Sequence, residues 1–154
     1  MIFSVLKLVH VLAVILWVGG MAFAHFFLRP PVQALEPPVR LKLLHAVMKR
    51  FLGAVLAASL VVLVSGLWMI GRMAKEAVQA GLDFRMPLAW TIMATLGIVM
   101  IAVFGHIRFA LFKRLSRAVE AGEWPSAGAA MASIRTWVFV NLCIGIVVIC
   151  VAVY

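Results

Sequence analysis

Of the 154 residues, 66% are hydrophobic and 12% are charged, whereas a soluble globular domain is about half apolar and about a quarter charged. That composition excludes an ordinary soluble domain, and the apolar runs are too long and too unbroken in polarity to be barrel strands. The net charge of +9 is gathered between those runs, a pattern that suits anionic headgroups and needs no nucleic acid.

A membrane-spanning helix needs about 20 mostly apolar residues. The pattern predicts an all-α, integral membrane four-transmembrane-helix bundle, a single domain over residues 1–154 with helices over about 2–28, 44–72, 86–113 and 127–153. The first run contains Ala22-Phe23-Ala24, which resembles a signal cleavage site. The run is longer than a signal h-region and no basic n-region precedes it, so it reads as a retained span. Leu28-Arg29-Pro30-Pro31 is expected to stop helix 1, because proline lacks the N–H and clashes with the preceding turn. Pro37-Pro38 then precedes VRLKLLHAVMKRF, expected to form a short interfacial lead into helix 2. Helix 2 is expected to end near Gly71-Arg72, and Pro87 suits the first turn of helix 3. A basic extension, FKRLSRAVEAGEW, is expected to break at Pro125, with Ser126 as N-cap of helix 4. Small residues early in helix 4 permit close helix contact and make a homo-oligomer an open option.

Loops one and three and their flanks hold Arg29, Arg40, Lys42, Lys49, Arg50, Arg108, Lys113, Arg114, Arg117 and Arg135, whereas loop two holds Arg72, Lys75 and Arg85. The positive-inside rule therefore predicts an N-out/C-out topology, with loops one and three in the cytoplasm.

Ionisable side chains at membrane depth are costly and are functional candidates by default. His10 and His25 fall in the first span and His106 in the third. At about 1.5 Å per residue, His25 and His106 share a layer on the cytoplasmic side, and His10 lies in the opposite, outer layer. His45 is expected at the cytoplasmic interface ahead of helix 2. On depth, His25 and His106 are the better pair for one bis-histidine heme. Arg29 and Arg108 are placed to meet its propionates or lipid headgroups. Met69 and Met73 fall in the outer layer with His10 and are soft ligands for heme iron or Cu(I). Lys7, one turn before His10, is a candidate for proton transfer or a propionate contact. Cys143 and Cys150 are seven apart, about 10 Å along a helix, too far to pair. Asn141 is placed to join helices by hydrogen bonds.

The run LKLVHVLAVILWVGGMAFAHFFLRP, followed by LEPPVRL, KRF, SGLWM, FGHIRFALFKRLSRAVEAGEWPSAG and IRTWVFVNLCIG, resembles small CopD-family membrane proteins, which are related to the HemJ type of protoporphyrinogen oxidase. The resemblance implies a four-helix protein of the bacterial inner membrane. HemJ-like relatives imply heme b, and the CopD label implies copper. His10, His106 and Lys7 match positions of the pattern; His25 and His45 do not. HemJ-type chains carry a lysine early in helix 3, and Trp90-Thr91-Ile92-Met93-Ala94-Thr95 has none.

Two expectations result. One is a heme b-binding inner-membrane protein with an electron-transfer or oxidoreductase role, whose partners would be a quinone, a porphyrin or a redox protein. The alternative is a copper-binding or copper-transport protein, with metal candidates His10, His25, His45, His106, Met69 and Met73.

Overall fold

The computed structural model describes residues 2–154. Four long helices carry almost all of them: α1 (Ile2–Val32), α2 (Pro37–Gln79), α3 (Leu88–Glu120) and α4 (Trp124–Val153). Each contains a stretch long and apolar enough to cross a bilayer, and the chain is a multi-pass membrane protein. The reason is elementary: no water competes for backbone groups in hydrocarbon, so each span must bond to itself as a helix.

The boundaries differ from those expected, and the prolines explain most of the difference. α1 continues through Pro30 and Pro31 to Val32. A π-helical turn at Ala24–Leu28 immediately precedes them. Its wider winding takes up the clash that a proline makes with the turn before it. The segment after Pro37-Pro38 is no separate lead, because it is continuous with α2. Two prolines in the first turn remove N–H groups that would have had no intrahelical partner. The 43 residues of α2 measure about 65 Å, twice the hydrocarbon thickness, so both of its ends project beyond it. α4 begins at Trp124 with Pro125 inside its first turn and Glu123, not Ser126, at the N-cap position.

The actual break before α4 is Gly122, at φ +69°. The Glu123 N–H bonds the Ala118 carbonyl and the Gly122 N–H that of Val119. This double bond pattern closes the carbonyls of a helix end and requires the left-handed conformation that glycine adopts freely. Gly81, at φ +70°, closes α2 in the same way, with Leu82 bonded to Ala77 and Gly81 to Val78.

Packing is uneven along the bundle. Trp17, Met21, Leu52, Val55, Phe104, Ile107, Leu115, Ile134 and Leu142 are buried together, with the Trp17 and Phe104 rings edge to face at 5.9 Å. Asn141 is 1% exposed and its Nδ2 donates to the Met100 carbonyl at 3.3 Å, tying α4 to α3. Beyond Ala13, Ser65, Met100 and Gly145, toward the end that holds both termini and the α2–α3 loop, no described residue is buried on any of the four helices. The helices thus close into a tight core at the basic end and separate at the other.

Gly145 marks the last close contact. A Cβ there would stand 2.9 Å from Val18 Cγ2 and 3.2 Å from Met100 Cε. The methionine terminus can move, but the branched valine is stiff. Gly145→Ala is therefore expected to lower stability by about 1–3 kcal/mol through overpacking. Val18→Ala in the same chain should restore part of it, and reversible unfolding in detergent measures both.

Candidate functional site

The four histidines occupy four different surroundings. His10, half-buried on α1, faces α2 at the edge where the core ends, with Nδ1 2.9 Å from Ser65 Oγ. Ser65 is 4% exposed, and its hydroxyl donates back to the Val61 carbonyl one turn earlier on α2. A hydroxyl has a single proton. When that proton lies on the Val61 or the Val62 carbonyl, both within its reach, the oxygen accepts from His10 and the neutral ring carries its hydrogen on Nδ1. The Nε2 lone pair is left free, the arrangement by which a partner on one ring nitrogen prepares the other to bind a metal.

Gly66 lies against the ring, and an added Cβ there would stand 3.4 Å from His10 Cε1, in ordinary contact. Met69 follows Ser65 by one turn of α2 and Met73 by two, and both are half-buried. The two helices run antiparallel, so these thioethers lead from the His10 layer toward the open end. Lys7, one turn before His10, is exposed, and its long chain carries the ammonium toward the interface.

His25 and His106 do meet α4 at nearly the same level, as their depth suggests. The His25 ring stacks on Phe139 at 4.8 Å and the His106 ring packs edge-on against Trp137 at 5.4 Å. These partners are two residues apart, which separates them by about 200° around the helix. α4 therefore stands between the two imidazoles, which lie on different flanks of it. His106 is exposed, beside a tryptophan that is itself 40% exposed. One heme held between His25 and His106 within a protomer does not fit this arrangement. Depth alone made the pair attractive; the angular position around the bundle, which depth does not contain, separates it.

His45 lies inside α2 rather than ahead of it. Its Nε2 is 2.9 Å from Ser116 Oγ, and its ring lies parallel to Phe112 at 5.2 Å. The Arg108 guanidinium lies over the same phenyl ring at 5.7 Å. The group braces α2 against the basic extension of α3. Arg29 lines a cleft with His25. Cys143 and Cys150 are both free and exposed.

Among the described residues no three histidine, cysteine, aspartate or glutamate side chains gather closely enough to hold a metal ion. Met69 and Met73 lie one and two turns beyond Ser65 on α2, and imidazole with thioether is a donor set that suits Cu(I). Sequence reasoning singled out His10, Met69 and Met73 but missed Ser65, which fixes the imidazole. Its signal was a small polar residue inside an apolar run.

The hydrogen-bond assignment has a direct test. In 15N-histidine-labelled protein at neutral pH, His10 is expected as the Nδ1–H tautomer. Ser65→Ala should move it toward a mixture of tautomers while costing only about 0.6 kcal/mol of stability, the average for such bonds between membrane helices.

The family model described as CopD, copper resistance protein D, matches residues 45–154. That span takes in most of α2 and all of α3 and α4, including Ser65, Met69 and Met73. No curated protein and no solved structure matches the chain.

Proposed function

The chain belongs to the CopD family of copper resistance proteins, and from that premise we propose that it binds Cu(I) at the His10 layer and passes it across the membrane. The observation that carries the reading is the contact of His10 Nδ1 with Ser65 Oγ at the end of the packed core; with the serine proton on a helix carbonyl, Nε2 is the ring nitrogen left for a metal. Met69 and Met73 supply soft donors on the approach, and the separated outer halves of the helices give the ion access. Copper here is the cargo.

The charge around the site selects the oxidation state. None of the five acidic residues lies in an apolar run; they are Glu36, Glu76, Asp83, Glu120 and Glu123. An ion entering the His10 layer keeps its charge uncompensated, which costs far less for a monovalent than for a divalent cation. Neutral imidazole and thioether favour Cu(I) on the same side of that balance. Lys7 adds a cation nearby, which further disfavours Cu(II) and lets the mouth discriminate between the two.

By the positive-inside rule the ten cations about loops one and three face the cytoplasm. The open end then faces the periplasm of a bacterial inner membrane, and the direction is uptake. A heme b oxidoreductase takes second place, because α4 separates His25 from His106 and helix 3 lacks the HemJ-type lysine.

The test is copper accumulation by cells expressing the chain, paired with Cu(I) titration of the detergent-purified protein. Wild type should raise cell copper and bind Cu(I). His10→Ala should abolish both, and Ser65→Ala should weaken affinity by roughly 10- to 100-fold, as loss of a ligand's supporting hydrogen bond does. A wild type that neither binds Cu(I) nor changes cell copper, and carries a Soret band with sharp reduced α and β bands, would overturn the proposal in favour of heme.

A further inference from the structure

The opposite, basic end of the bundle holds a second feature. A cleft of about 70 Å³ opens there between α1, α2 and α4. Arg29 of α1, Gln33 just after its end and Arg135 of α4 line it together with His25. His25 lies in the π-helical turn that precedes the proline pair, a local winding that recurs at functional sites. The rest of the lining is apolar and includes Leu44 and Met48 of α2 and Val138 of α4.

Two arginines from different helices thus line one small cleft. Among the described residues the only ion pair is Arg72–Glu76, at the far end of the molecule, so neither Arg29 nor Arg135 is paired with a carboxylate. Like charges brought to one site repel unless an anion lies between them. Both arginines also stand where an apolar run stops: Arg29 directly follows Leu28, and Arg135 precedes Trp137 by two residues. That is the depth of lipid headgroups. A soluble anion would use the cationic rim and leave the apolar wall wet. An amphiphile uses both.

We propose that this cleft binds an anionic phospholipid, with the headgroup phosphate between Arg29 and Arg135 and the start of one acyl chain against the wall formed by Leu44, Met48 and Val138. Basic pockets between helices on the cytoplasmic side are suited to such headgroups, and bidentate guanidinium contacts suit phosphate. Gln33 and His25 offer further hydrogen-bond donors to the headgroup. The site lies apart from the His10 layer, and its occupancy does not depend on copper.

Native mass spectrometry of the detergent-solubilised protein tests this, with phosphatidylglycerol, phosphatidylcholine and inorganic phosphate added in separate arms. Wild type is expected to retain phosphatidylglycerol over phosphatidylcholine, and inorganic phosphate at equal concentration should not displace it. Arg29→Gln/Arg135→Gln should reduce retention by roughly tenfold or more. Arg114→Gln, on the same basic side but outside the cleft, should leave it unchanged. Equal retention of the two lipids by wild type would overturn the proposal, a result that needs no variant to fold. So would an equal loss in Arg114→Gln, which would mean diffuse charge, or displacement by phosphate, which would mean a soluble anion.

Discussion

A polar group inside hydrocarbon must find its partner within the protein, and this single requirement shapes the molecule at every scale. It makes each span a helix, since only there does the backbone satisfy itself. It governs the helix ends, where prolines stand in first turns that lack bonding partners and glycines close the last carbonyls. It also governs several polar side chains in the spans, although Asn141 Oδ1 and Arg108 Nε are buried without a partner among the described residues. Asn141 turns to the Met100 carbonyl, and Ser65 returns its proton to Val61. The imidazole of His10 is fixed by what remains of that serine, its acceptor oxygen. The lone pair proposed to take the metal is thus a consequence of the same accounting that builds the helix beneath it.

The uneven packing gives that lone pair its setting. On one side of Ala13, Ser65, Met100 and Gly145 the helices hold a dense core; beyond those residues no described residue of the four helices is buried. A bundle packed along its whole length would enclose His10 as a brace between α1 and α2, much as His45 is enclosed by Phe112 and Ser116. A bundle open throughout would present the imidazole to lipid, as happens to His106. His10 stands at the boundary, half-buried, with Nδ1 against Ser65. Met69 and Met73 extend the soft character of the site along the open half of α2.

Much of this was legible in the sequence, for identifiable reasons. Hydropathy fixes the number of spans because the bilayer imposes a length, and the outer grouping of His10 with Met69 and Met73 needs only position along a helix. Depth likewise placed His25 and His106 at one level, and both do meet α4 two residues apart. What depth omits is the rotation of each helix about its own axis. That depends on packing against neighbours and put α4 between those two rings. The proline pair after Leu28 misled for a related reason: a π-helical turn upstream can absorb two prolines, and nothing in the residue types announces it. Ser65 was hidden by its ordinariness, since its importance lies in which acceptor takes its single proton.

The two ends of the bundle therefore differ, with imidazole and thioether side chains free of membrane-embedded carboxylates toward one and a concentration of cations at the other. The central claim is that a Cu(I) ion is held by the free nitrogen of His10 among thioethers. X-ray absorption spectroscopy at the copper edge of the Cu(I)-loaded protein tests it most directly. The account predicts imidazole scattering together with sulfur neighbours at thioether distance, with the imidazole contribution lost in His10→Ala and the sulfur contribution reduced in Met69→Leu. A copper environment of oxygen alone, or one unchanged by His10→Ala, would contradict it.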